Sequence, residues 1–300
     1  MSRPTAGGAS DPAAGAADAA TAAGASAVAT LAARLRAAGS VFAEDEAGLI
    51  LAEAAGDGEA VERMAARRAA GEPLEQVVGW AEFAGLRILV EPGVFVPRLR
   101  TEALVREALA LLARARTRAD PLAASDPTTP VVVDLCCGTG AIGAAIAAGL
   151  RDSGRSVELV AADLDPAAVR AARRNLEPLG ALVVEGDLFD PLPVALRGRV
   201  DLIAANAPYV PTAAIETMPP EARDHEARIA LDGGEQGVDV QRRVAAAALP
   251  WLRPGGHVLI ETSRRQADAT AALLEASGFA ARIVRDDDVD GTVVIGTAGG

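Results

Sequence analysis

The sequence predicts an α/β chain in which a mainly parallel sheet carries helices on both faces. Three observations predict it. From Val131 onward, short runs rich in Val, Ile, Leu and Ala alternate with segments of helical periodicity. Gly, Pro, Asp or Asn punctuate the joints between them. A glycine-rich turn follows the first run, and an acid closes the second about 20 residues later. The 300 residues are enough for one large domain or two smaller ones. Hydrophobic residues make up 50% but aromatics only 3%, so the core is expected to be aliphatic and Ala-rich.

The N-terminal stretch 1–26 is built of Ala, Gly, Ser, Thr, Asp and Pro without hydrophobic periodicity, which predicts a disordered tail. Over 27–70 the pattern becomes helical: Val28, Leu31 and Leu35 share a face, as do Ala47, Ile50, Leu51 and Ala54, then Val61 and Met64. Gly39-Ser40 and Gly56-Asp57-Gly58 separate these segments, giving a small domain of about three helices. Residues 71–100 are expected to form a β-hairpin linker, with strands at Gln76–Trp80 and Phe83–Val90. A helix from Thr101 to Ala115 opens the last domain, 101–300, and a Pro/Asp/Thr-rich stretch reaches Pro130.

Strands are then expected at Val131–Leu135, Val157–Ala162, Ala181–Glu185, Val200–Ala205, His257–Glu261, Ala280–Val284 and Thr292–Ile295. Helices fall at Ala141–Leu150, Ala167–Leu176, Val238–Leu249 and Arg265–Ser277. The last two strands lie close enough in sequence to pair as an antiparallel edge hairpin.

Composition excludes several function classes. No apolar run approaches the ~20 residues that span a bilayer, and no secretory leader is expected at the N-terminus. Two adjacent cysteines and two histidines, His225 and His257, make neither a disulfide framework nor a zinc site, so no metal is expected. With 29 basic against 41 acidic side chains the net charge is −12, and every basic residue is Arg. That charge disfavours nucleic acid, so no direct DNA binding is expected. A monomer in the cytoplasm, without membrane attachment, is the expectation.

The first strand runs into Asp134-Leu135-Cys136-Cys137-Gly138-Thr139-Gly140-Ala141-Ile142-Gly143. Glycines here permit a tight turn and close approach of the backbone to a ligand, and the helix N-terminus favours electron-rich ligand atoms. Asp163 closes the second strand, where such folds present an acceptor to ribose hydroxyls. Loop and acid together indicate a nucleoside-containing cofactor without specifying which. Gly138, Gly140 and Gly143 also satisfy the dinucleotide pattern G-x-G-x-x-G, which leaves an NAD(P) oxidoreductase as a competing reading. Asp134 favours S-adenosylmethionine, because a carboxylate there meets the cationic methionine end and would repel a pyrophosphate. Asp187, followed by Leu188 at the end of the third strand, is either the acceptor for an adenine amino group or a turn cap.

The fourth strand ends in Asn206-Ala207-Pro208-Tyr209, at the sheet edge where α/β folds bind ligands. This run resembles the Asn/Asp-Pro-Pro-Tyr/Phe motif of class I methyltransferases that methylate planar NH2 groups. Further stretches resemble, more narrowly, the protein glutamine-N5 methyltransferases that modify peptide-chain release factors. They are Gly71-Glu72-Pro73-Leu74-Glu75-Gln76-Val77-Val78-Gly79, Glu82-Phe83, Gly93-Val94-Phe95-Val96-Pro97-Arg98 and Thr101-Glu102. Ala230-Leu231-Asp232-Gly233-Gly234, Gly237, Arg242-Arg243, Gly255-Gly256, Glu261 and Gly278-Phe279 continue the likeness, which runs from about residue 30 to 297.

The resemblance implies a Rossmann-like, seven-stranded class I methyltransferase domain behind a small helical domain and a β-hairpin linker. It implies S-adenosylmethionine as cofactor and a release factor as protein substrate, methylated on the glutamine of its Gly-Gly-Gln loop. Asp134 and Cys136, Cys137, Gly138, Thr139 and Gly140 would line the methionine and ribose, Asp163 the ribose, and Asp187 and Leu188 the adenine. Asn206, Ala207, Pro208 and Tyr209 would surround the acceptor, with Asn206 also facing the cofactor.

Three departures stand out. The motif's second residue is Ala207 rather than Pro, the first loop glycine is Cys136, and Pro-Arg-Pro-Glu-Thr reads Pro97-Arg98-Leu99-Arg100-Thr101. They keep open a divergent paralogue with another protein acceptor, or a binding module without activity. In the catalytic reading, Asn206 Oδ1 and the Ala207 carbonyl each accept one hydrogen of the acceptor NH2, Pro208 stiffens the loop and Tyr209 stacks on the planar group. The carbonyl acts through backbone, so Ala207 keeps it and loses only rigidity.

Overall fold

The computed structural model describes residues 12–117 and 129–300. The chain divides into two compact units, one ending at Val78 and one spanning Gly79–Gly300.

The first unit consists of helices α1 (Pro12–Ala37), α2 (Ala43–Ala54), α3 (Gly58–Ala69) and α4 (Leu74–Val78). Leu31 and Leu35 of α1 and Ala47 and Ile50 of α2 are buried, as their spacing predicts. Helix α3 starts where Asp57 accepts from the backbone N–H of Glu59 at 2.9 Å and of Ala60 at 3.2 Å. A two-pronged ion pair of 2.9 and 2.8 Å joins Arg68 of α3 to Glu46 of α2.

Two expectations fail here. Residues 12–26, assigned to a disordered tail, form the first part of α1, while 1–11 lie outside the described residues. The segment is dominated by Ala, the strongest intrinsic helix former, which needs no apolar stripe to signal a helix. Gln76–Val78, assigned to a strand, are helical in α4. The Pro73 carbonyl accepts from Val77 N at 3.1 Å, Gly79 ends the turn at φ +85°, and burial of Val77 and Val78 overrides their strand preference.

The second unit opens with strands β1 (Trp80–Phe83) and β2 (Leu86–Leu89). Phe83 faces Leu86, so the hairpin turn is Ala84-Gly85 alone. Both turn residues have positive φ, +50° and +73°, as a type I′ turn requires. The hairpin therefore belongs with the sheet unit, and the division at Val78 cuts through the expected linker. Phe83 and Ile88 join the core formed with helix α5 (Glu102–Thr117).

Then follow β3 (Val131–Leu135), α6 (Ala141–Asp152), β4 (Glu158–Asp163), α7 (Pro166–Leu176), β5 (Leu182–Glu185) and β6 (Val200–Ala205). Two short helices, α8 (Pro220–His225) and α9 (Arg228–Leu231), precede α10 (Asp239–Ala248), β7 (Leu252–Glu261), α11 (Ala267–Ala276), β8 (Ala280–Asp286) and β9 (Gly291–Thr297). The seven-stranded sheet has the order β5-β4-β3-β6-β7-β9-β8. Strands β3 to β7 run parallel; β9 is antiparallel to both β7 and β8, so the expected terminal hairpin forms with β9 on the inside.

Helices cover both faces, as a parallel sheet demands. Val131, Val133 and Leu135 of β3 pack with α10 and α11 residues such as Val244 and Leu274. Val132 packs on the other face with Leu104 of α5, Ile146 of α6 and Val169 of α7. Asp134 alternates onto that second face, so an acid of the central strand is directed at the start of α6.

Candidate active site

Strand register brings the expected residues to one edge. Leu135 pairs with Ala162 of β4 and Ala205 of β6, so the loops after all three strands emerge side by side. This is the carboxyl edge around the central strand, where chain direction across the sheet reverses.

The cofactor half starts at Asp134, which is fully buried. Its Oδ2 accepts from Gly143 N at 2.9 Å, while Oδ1 is buried with no partner. Burial pushes this carboxyl up to about 8, against the pull of the Gly143 N–H and with a further push from Asp163. Space is tight at Gly143: a Cβ there would lie 3.1 Å from Asp134 Oδ2 and 3.2 Å from Leu159, so both side chains would have to give by a few tenths of an ångström. The match to a dinucleotide pattern thus has a packing origin at its third glycine. Gly140, at φ +78°, has the same constraint, since a Cβ would sit 2.7 Å from Leu176.

Cys136 adopts φ +53° where Gly is easier, and Cys137 is buried. Burial among Asp134 and Asp163 pushes both thiols well up, which keeps them protonated and unreactive. Asp163 ties the loop to β4: its Oδ2 accepts from Gly138 N at 2.8 Å and its Oδ1 from Asp165 N at 2.9 Å. Among the described residues no backbone N–H donates to the Asp187 carboxylate, so it is not a turn cap. Its Oδ2 pairs with Arg243 of α10 at 2.6 Å, and both charges act on Cys136, which places them around the same loop. Leu188 follows at φ +48°.

The acceptor half is Asn206–Tyr209. Ala207 is buried, and the Asn206 side-chain amide and the Ala207 carbonyl have no hydrogen-bond partner among the described residues. Tyr209 donates its hydroxyl to Glu261 Oε1 at 3.4 Å. Burial and the Glu261 charge push the phenol up to about 12, so Tyr209 stays neutral and is no general base.

Residues from distant elements hold this loop, and sequence reasoning gave them no role. Gln266 donates to the carbonyls of Tyr209, Gln236 and Gly237 at 2.9 to 3.1 Å. A Cβ on Gly233 would lie 2.7 Å from the Pro208 carbonyl, so 233–237 packs directly on the motif's backbone. Asn175 of α7 bonds both backbone groups of Leu89 and the Thr139 carbonyl, all at 2.9 Å, coupling hairpin to glycine loop. Glu226 Oε1 accepts from Val96 N at 3.1 Å and Arg98 at 2.5 Å, which fixes the Pro97-Arg98 stretch. The signals in the sequence were the family likeness at Gly233, Gly234 and Gly237 and at Pro97-Arg98, which gave no partner for any of them. His257 bonds Thr297 between strands, a structural place.

Comparison with known proteins identifies the family. Residues 132–227 match a family described as a methyltransferase domain. A release factor glutamine methyltransferase of Geobacter sulfurreducens is 39% identical over 72% of this chain and 69% of its own length. One from Streptomyces coelicolor is 40% identical over 67% and 66%. A 4-amino-L-phenylalanine/4-methylamino-L-phenylalanine methyltransferase of Streptomyces pristinaespiralis is 38% identical over 71% and 68%. At 39% identity to a relative of which it covers 69%, the chain belongs to the release factor glutamine methyltransferase family of S-adenosylmethionine-dependent enzymes.

Proposed function

We propose that this protein methylates the side-chain amide nitrogen of a glutamine, in the Gly-Gly-Gln loop of a peptide-chain release factor. The observation that carries the proposal is the pair of unpartnered acceptors at the end of β6, Asn206 Oδ1 and the Ala207 carbonyl. A planar NH2 presents two hydrogens, and two aimed acceptors fix its plane. An amide nitrogen is a poor nucleophile because its lone pair is delocalised; accepting both hydrogens draws electron density back to nitrogen and stabilises charge growing there.

The cofactor half fits S-adenosylmethionine. Asp134 Oδ1, buried and unpartnered, suits the ammonium of the methionine end. Cys136–Gly140 would line the methionine and ribose, Asp163 would use its remaining lone pairs on the ribose hydroxyls, and Asp187 and Leu188 would border adenine. Bound there, the cofactor supplies an electrophilic methyl group on a sulfonium. The chain's own work is orientation, and Tyr209, held by Glu261 and Gln266, forms the wall on which the planar amide rests. The reading implies a monomeric cytoplasmic enzyme that binds no DNA directly. Among the described residues no helix is long and apolar enough to cross a membrane.

A second reading, the same NH2 chemistry on a different acceptor, is favoured by Ala207 and Arg100 and by the relative that acts on an arylamine. Incubation with S-adenosylmethionine and a release factor from the same cell, followed by peptide mass spectrometry, separates the two. A methyl group on the Gly-Gly-Gln glutamine is expected; an unmodified release factor beside an intact cofactor site would favour the second.

A further inference from the structure

Beside the acceptor loop lies a buried carboxyl that holds Tyr209 through one oxygen and whose second oxygen the mechanism above leaves unused. Glu261 ends β7, and because Ala205 pairs with Ile260, it stands level with Asn206 on the neighbouring strand. Its side chain is 2% exposed. Oε1 receives the Tyr209 hydroxyl and faces Arg100 Nε at 3.8 Å, whereas Oε2 is buried with no partner. Burial pushes the carboxyl up, while Thr101, Arg100 and Tyr209 hold it down. A buried acceptor oxygen without a donor costs on the order of 1–3 kcal/mol, which a ligand donor would recover.

Arg100 is the other half of the arrangement. It stands in the short turn before α5, and 47% of its side chain is exposed. Its Nε is beyond hydrogen-bond reach of Glu261, and no hydrogen bond of normal geometry occupies its guanidinium among the described residues. A buried carboxylate oxygen without a hydrogen-bond partner and a half-exposed guanidinium thus adjoin, beside two acceptors suited to an NH2 group.

We propose that Glu261 and Arg100 hold the α-nitrogen and the α-carbonyl group of the acceptor residue while its side-chain NH2 lies against Asn206 and Ala207. Glu261 Oε2 takes the α-N–H, and the Arg100 fork donates to the α-C=O. This deepens the assignment of Asn206–Tyr209 as the acceptor site and rests on it. The same chemistry comes from two sources. A residue inside a protein chain offers a neutral N–H and C=O; a free amino acid offers an ammonium and a carboxylate.

The test measures binding to the protein saturated with S-adenosylhomocysteine. Three probes are titrated: N-acetyl-Gly-Gly-Gln-N-methylamide, free 4-amino-L-phenylalanine, and 4-ethylaniline, which has an NH2 group but neither α-group. At least one of the first two is expected to bind tenfold or more tighter than 4-ethylaniline. Arg100→Leu should weaken that probe at least tenfold, leaving 4-ethylaniline and S-adenosylhomocysteine within twofold; Glu261→Gln, which also alters the support of Tyr209, should weaken that probe at least tenfold more than it weakens 4-ethylaniline. Arg100 lies at the surface, so its variant folds even if Glu261→Gln does not. Equal binding of all three probes, or variants that lose nothing, overturns the proposal. Preference for the capped peptide assigns a protein acceptor and preference for the free amino acid a small one. In the latter case the pair stands and the release factor reading falls; a methylated release factor with neutral variants gives the reverse.

Discussion

Asp134 is the residue whose chemistry departs furthest from that of a surface carboxylate. Burial raises it to about 8, so near pH 7 the empty protein holds it mostly protonated. A cationic ammonium at Oδ1 reverses that preference, and binding must expel the proton. S-adenosylhomocysteine binding at pH 7 is therefore expected to release close to one proton, read from calorimetric enthalpies in buffers of different ionisation heat. Asp134→Asn should abolish the release; a wild-type enthalpy independent of buffer would remove Asp134 from the ammonium site. At this scale the sequence exposed contiguous features. Asn206–Tyr209 and Cys136–Gly140 were readable because each motif is local. Glu261 was legible as part of the family likeness but not in its role, and Gln266 and Asn175 were not legible, because their partners lie 52, 57 and 86 positions away. Asp187 was legible as an acid at the right strand end, but its pairing with Arg243 depends on α10.

Among elements, the one that matters most to the acceptor loop is the segment between α9 and α10. Val210 N donates to Leu231 O and Gly233 N to Val210 O, so this segment continues the path of the Asn206–Tyr209 backbone. Gly233→Ala places a methyl group 2.7 Å from the Pro208 carbonyl, and backbone cannot yield as a flexible side chain would. The expected outcome is a fall in kcat of tenfold or more with S-adenosylhomocysteine affinity within twofold, since the cofactor half is built from other loops. Loss of both together would mean that the two halves are not separately supported. Elements were legible where periodicity was strong, as in β3, β6 and α7. They were misread where composition carried the signal instead: α1 through its Ala content, and α4 through a β-branched pair enclosed by Pro73 and Gly79.

For the whole molecule, the buried carboxyls set an unusual pH dependence. Asp134, Asp163 and Glu261 all have their proton affinity raised by burial. The carboxyls shifted the other way, Glu44, Asp224 and Asp232, are at the surface, where screening blunts their effect. A raised group binds more protons folded than unfolded, so stability falls as pH rises from the unfolded value near 4 towards the folded one. For Asp134 that window ends at about 8. The ligand-free protein is expected to lose on the order of 2–5 kcal/mol between pH 5 and 8, seen as a falling urea midpoint, with part restored by S-adenosylhomocysteine. A midpoint that rises across this range would contradict the protonated state of Asp134. A mainly parallel sheet covered by helices followed from strand and helix alternation, whereas the strand order came only from the structure, and the division at Val78 was not legible because it depends on which core the hairpin joins.

The central claim is that Asn206 serves the acceptor, and that neither the fold nor cofactor affinity depends strongly on it although it also faces the cofactor. Asn206→Ala tests it most directly, with S-adenosylhomocysteine affinity and methyl transfer measured on one preparation. Affinity within a few-fold of wild type, together with a loss of turnover of 100-fold or more, is the predicted result. A variant that still transfers methyl groups at close to the wild-type rate would contradict the account.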